Sequence, residues 1–144
     1  MYQQAAMKYE QVQASTATPG EMLLALYDGL FRFLRGAQLC FENNQNAKGR
    51  ELLSKGHAIV SELLLALDHS KAPELCARLE AIYDFCMSEI LAASAKADAK
   101  LVGEVIRVLA PLQEAWHTAV PEAYREAKAG TDPPRTTGVY PRAG

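Results

Sequence analysis

The stretch Thr18-Pro19-Gly20-Glu21 leading into Met22-Leu23-Leu24-Ala25-Leu26-Tyr27-Asp28-Gly29-Leu30-Phe31-Arg32-Phe33-Leu34 constrains the fold most. Thr18 can accept from free first-turn N–H groups, Pro19 suits the first helical position, and Glu21 stands three residues after Thr18. These are the parts of a capping box, and they fix where a helix begins. The run from Met22 onward is too apolar for an ordinary surface helix. At about 100° per residue, Leu23, Leu24, Leu26, Tyr27, Leu30, Phe31, Phe33, Leu34, Cys40 and Phe41 spread over roughly 200° of circumference. A helix lying on one side of a small bundle needs a stripe nearer 100–140°. Such a helix is either central or keeps part of its surface for something else.

The remaining chain supplies partners for it. Helices are predicted over about 19–42, 48–67, 73–95 and 99–120. Leu52, Leu53, Ile59, Val60, Leu63, Leu64 and Leu67 form the stripe of the second, with Leu65 outside it and expected at the surface. Leu75, Leu79, Ile82, Tyr83, Cys86, Met87 and Ile90 form that of the third. The fourth carries Leu101, Val102, Val105, Ile106, Val108, Leu109, Leu112 and Trp116, with Asp98 as its N-cap. Pro111 predicts a kink near Arg107–Pro111, and Pro121 an end or a separate last turn. No stretch alternates as a strand does. Four helices on short turns force neighbours to run antiparallel, so the fold class is all-α, an up-down four-helix bundle. It forms one domain over residues 1–129. Residues 1–17, with few apolar points (Tyr2, Met7, Tyr9, Val12), read as a frayed terminus or as a strap over the first helix. The Gly/Pro-rich residues 130–144 read as a disordered tail. Leu26-Tyr27-Asp28 is echoed by Ile82-Tyr83-Asp84 on the third helix.

Composition and motifs exclude several function classes. A net charge of −2 with scattered Lys and Arg argues against nucleic acid or an anionic membrane as the partner. No apolar run approaches the ~18–20 residues that span a bilayer. The three cysteines sit at apolar helical positions and read as reduced, buried thiols in a cytosolic protein. Glu114-Ala-Trp-His117 is one half of a di-iron pattern and has no second half. There is no CxxC and no glycine-rich phosphate loop. No metal or cofactor is expected, and no enzyme activity. What remains is the apolar excess, which fits recognition of a partner helix in a hydrophobic groove. The candidate protein-binding residues are Tyr9, Leu23, Leu24, Leu26, Tyr27, Phe31 and Phe33. Leu24, Phe31 and Phe33 at the flanks of the arc are favoured for contact, and Tyr9 for the strap. A homodimer burying the same surface is the alternative.

These residues also carry a resemblance. Tyr9, Thr16-Ala17-Thr18-Pro19 and the run Leu23 to Ala37 closely resemble the bacterial flagellar secretion chaperone family, FliS. Ile59-Val60-Ser61-Glu62-Leu63 with Leu67-Asp68, Leu79 to Asp84, and Val105 to Leu109 with Glu114-Ala115-Trp116 match its later helices in order. The resemblance spans about residues 2–120. It implies a cytosolic helical bundle that binds the disordered C-terminal region of flagellin, prevents premature polymerisation and assists delivery to the flagellar export apparatus. An export-gate component is a second candidate partner. It also implies that the segment around Tyr9 can cover the groove when flagellin is absent. Pro111 and the tail after Ala129 are less usual for the family.

Overall fold

The computed structural model describes residues 18–129 together with 139 and 140. Four helices account for nearly all of them: α1 (Pro19–Glu42), α2 (Asn46–Leu65), α3 (Pro73–Lys96) and α4 (Ala99–Lys128). Each packs on the next, and α4 returns to α1, which closes a four-helix bundle. The proposed strap with Tyr9 lies outside the described residues.

Local chemistry sets the helix ends. The Thr18 side chain accepts from the Glu21 N–H at 3.1 Å, with Pro19 at the first helical position. The turn after α1 reverses at Asn44, whose φ of 60° is a left-handed conformation that asparagine tolerates. The Asp98 side chain accepts from the Lys100 N–H at 2.8 Å and caps α4. Just before it, Ala97 takes φ 48° and ends α3 in the left-handed conformation that usually goes to glycine.

α2 starts a little earlier than its pattern predicts and stops at Leu65 rather than Leu67. The Asp68 N–H explains the stop: it donates to the Val139 carbonyl at 2.7 Å instead of to the preceding turn. The Asp68 carboxylate meanwhile accepts from the Ser70 N–H and hydroxyl. Leu67 still folds inward, and Leu65 is 82% exposed, as its place outside the stripe predicts. α4 runs on to Lys128 and is broken at neither Pro111 nor Pro121. Both prolines are exposed, so the carbonyl that each leaves without its ladder bond can be hydrated.

The core runs the length of the bundle. Leu23, Tyr27, Leu30, Phe31, Leu34, Ala37 and Phe41 of α1 meet Leu53, Val60 and Leu63 of α2, Leu79, Tyr83, Cys86 and Ile90 of α3, and Val102, Val105, Leu109 and Trp116 of α4. α1 and α2 approach closely at Gly49, where a Cβ would strike the Phe41 ring. Two further core residues come from the tail. Val139 and Tyr140, within the stretch read as a disordered tail, are 0% and 7% exposed. A Gly/Pro-rich composition signals a lack of helix. It does not register a single aliphatic–aromatic pair that can fill a gap in a finished core.

Candidate functional site

The wide apolar arc of α1 is divided between its two neighbours, and little of it is left over. Leu23, Tyr27 and Phe31, three of the candidate contact residues, are 4%, 0% and 1% exposed. Phe31, read from the sequence as a flank residue, is among the buried ones. Its ring is buried, with the Arg35 guanidinium 5.2 Å from the ring centre. Leu24, Leu26 and Phe33 are half-buried.

Leu26 and Phe33 lie on the α2 side. There, Gly29 faces Ile59, Gly36 faces Leu52, and Gly56 brings its backbone under Leu30, Leu34 and Phe33. Small residues on both helices draw the backbones together, so Leu26, Phe33, Leu52 and Ile59 form a shallow, half-buried apolar seam. The Lys55 ammonium sits 5.2 Å from the Phe33 ring centre. Its partial burial lowers its pKa, as expected for a cation laid along an apolar surface.

On the other flank of α1, Asp28 ties the helix to α4. Its carboxylate accepts from Gln113 Nε2 at 3.0 Å and faces His117 Nε2 at 3.1 Å. His117, the histidine of the half di-iron pattern, is therefore engaged with an exposed aspartate. No group of three or more His, Cys, Asp or Glu among the described residues could hold a metal ion. The inter-helix role of Asp28 was missed in the sequence, because polar partners on another helix leave no periodic trace.

A second apolar seam was also missed. Leu75 and Phe85 on α3 are 40% and 44% exposed. With half-buried Ile82 they lie within about 80° of one another on the helix. The sequence reading placed Leu75 in the buried stripe and left Phe85 out. The spacing Leu75, Ile82, Phe85 carried the signal.

At the end of the bundle where α2 meets α3, three tyrosines form a directed chain. Tyr140 donates to the Leu63 carbonyl at 3.2 Å, so it accepts from Tyr83 at 2.8 Å. With its one proton committed there, Tyr83 accepts from Tyr27 at 2.5 Å. Trp116 stands edge-on to both Tyr27 and Tyr140, with ring centres 6.3 and 6.0 Å away. Burial pushes the pKa of all three phenols above the ordinary tyrosine value. The buried Cys86 thiol nearby is pushed up to about 12 by burial and by Glu89. A nucleophile would need the opposite shift.

Comparison with known proteins places this geometry. The family described as flagellar protein FliS matches residues 1–123. The chain belongs to the FliS family. The flagellar secretion chaperone FliS of Bacillus subtilis is 34% identical over 112 residues, which cover 78% of this chain and 83% of the relative. That of Salmonella typhimurium is 32% identical over 129 residues, covering 85% and 96%. A solved structure titled "Crystal structure of flagellar chaperone from bacteria" superposes with a TM-score of 0.67 at 23% identity, covering 83% of this chain and 98% of that one, and it shares the fold. FliS is a chaperone family, not an enzyme family, and membership makes this chain a flagellar export chaperone with a flagellar protein as client. None of the described helices is long and apolar enough to cross a membrane.

Proposed function

We propose that the client is the disordered C-terminal region of flagellin, held in the cytosol until it is passed to the export apparatus. The observation that carries this reading is the half-buried apolar seam of Leu26 and Phe33 with Leu52 and Ile59, in a chain of this family. A disordered segment that folds on binding loses ordering entropy. It offsets the loss by burying apolar area at roughly 25 cal/mol per Å². Leu26, Phe33, Leu52 and Ile59 offer such area along the α1–α2 seam, and Leu24 is a separate half-buried apolar point on the opposite flank of α1. The fully buried Leu23, Tyr27 and Phe31 shape the surface from beneath. An export-gate component receives the loaded complex.

Calorimetric titration of Leu24→Glu and Phe33→Glu chains with the C-terminal segment of flagellin tests the placement. Both variants keep wild-type helicity, because neither residue is in the sealed core, and both bind at least about tenfold more weakly. Wild-type affinity in both would remove the client from α1.

A further inference from the structure

The match to the FliS family ends at residue 123, and Val139 and Tyr140 lie beyond it, so membership does not account for what they do. They enter the end of the bundle at a place built by all four helices. The Val139 carbonyl accepts from the Asp68 N–H at 2.7 Å in the α2–α3 connection. The Tyr140 ring packs edge-on against Trp116 of α4, and its hydroxyl reaches both Tyr83 of α3 and the Leu63 carbonyl of α2. Tyr27 of α1 closes the floor through Tyr83. One main-chain bond, one aliphatic side chain and one phenol with a fixed donor and acceptor make up a recognition pattern for a short peptide. The tail meets that pattern from the far side of a connection spanning 129–138. The fit is also incomplete: the Trp116 indole N–H is buried close to Tyr27 but makes no hydrogen bond of good geometry among the described residues.

We propose that this bundle end is a peptide-binding pocket closed in cis by the chain's own Val139–Tyr140, and that releasing this plug opens the pocket to a segment in which an aliphatic β-branched residue precedes tyrosine. The inference does not depend on flagellin being the client. A tethered plug lowers the apparent affinity of any incoming segment by the fraction of time the pocket is open. An incoming segment with an acceptor for the Trp116 N–H would have an advantage over the plug.

The test uses a labelled peptide with the sequence from Thr136 to Arg142, titrated into the full-length chain and into its Tyr140→Ala variant. Trp116, the chain's one tryptophan, reports occupancy by its fluorescence. The variant, with its pocket vacated, binds the peptide at least about tenfold more tightly than wild type. A peptide carrying alanine for its tyrosine does not bind. A folded variant that fails to bind the peptide, or binds it no better than wild type does, overturns the proposal. Should the variant not fold, hydrogen exchange on the wild-type chain decides. A displaceable plug lets the Asp68 amide exchange by local opening, faster than the amides of Val60 and Leu63. Exchange of all three only through global unfolding would make Val139–Tyr140 a fixed part of the core and overturn the proposal.

Discussion

The hydroxyl of Tyr27 on α1 donates to that of Tyr83 on α3 at 2.5 Å, across the diagonal of the bundle. The two tyrosines stand at the centre of the short echo between Leu26-Tyr27-Asp28 and Ile82-Tyr83-Asp84. Both are 0% exposed, so neither hydroxyl can turn to water if its partner is lost.

The direction of the chain ranks the two deletions. Tyr27→Phe removes the first donor and leaves Tyr83 still donating to Tyr140, at a cost of about 0.5–1.5 kcal/mol. Tyr83→Phe removes the middle link and strands the buried Tyr27 O–H, at about 1–3 kcal/mol. Urea unfolding of the two variants measures the difference, and Tyr83→Phe is the less stable.

Alkali acts through the same cluster. Burial raises the phenol pKa of Tyr27, Tyr83 and Tyr140 in the folded state above the unfolded value of about 10. Their contribution to stability is complete below about pH 10 and is lost as pH rises above it, because the unfolded chain then releases protons that the folded chain retains. Phenolate absorbance from these three residues rises together with the loss of helix. A phenolate step for them well before helix loss would contradict this.

Glu89 on α3 has its pKa raised first by a hydrogen bond with Glu104 on α4, then by partial burial and by the Glu104 charge, with Lys96 opposing. A folded pKa above the unfolded one means a contribution that is present below the unfolded value of about 4.3 and lost as pH rises through the folded value. At neutral pH the pair repels. Glu89→Gln therefore raises the urea midpoint at about pH 7 and leaves it nearly unchanged near pH 4.

The cysteines differ in reach. Cys76 and Cys86 are both 0% exposed, whereas Cys40 is half-buried. Burial raises both buried thiols, Cys86 to about 12, and the Cys76 Sγ donates to the Asp68 carbonyl at 3.2 Å. Thiol reagents label Cys40 first and Cys86 only as fast as the core opens. Mass spectrometry of a labelling time course gives the order.

Features with a local cause were legible in the sequence. Thr18 and Asp98 cap their helices by hydrogen bonds from the next residues in the chain, and the stripes of α2 and α4 keep a 3.6-residue period. Leu65 falls outside its stripe and stands in water. Features caused by residues far along the chain were not legible. Phe31 looked like a flank residue, because periodicity gives an angle and not the neighbour that covers it. Asp28 meets Gln113 and His117 through side chains on α4. α2 stops short because the Asp68 N–H goes to Val139, a residue in a segment whose composition argued for no structure at all. Half-buried Leu24, Leu26 and Phe33 come from the excess apolar arc of α1, but only the packing shows which parts of that arc are spare.

The central claim is tested most directly by isothermal titration of the full-length chain with the C-terminal segment of flagellin from the same organism, at two or more temperatures. The account predicts saturable 1:1 binding with a negative heat-capacity change, the mark of apolar burial on coupled folding and binding. A folded chain that gives no binding heat at any of these temperatures and forms no complex on gel filtration would contradict it.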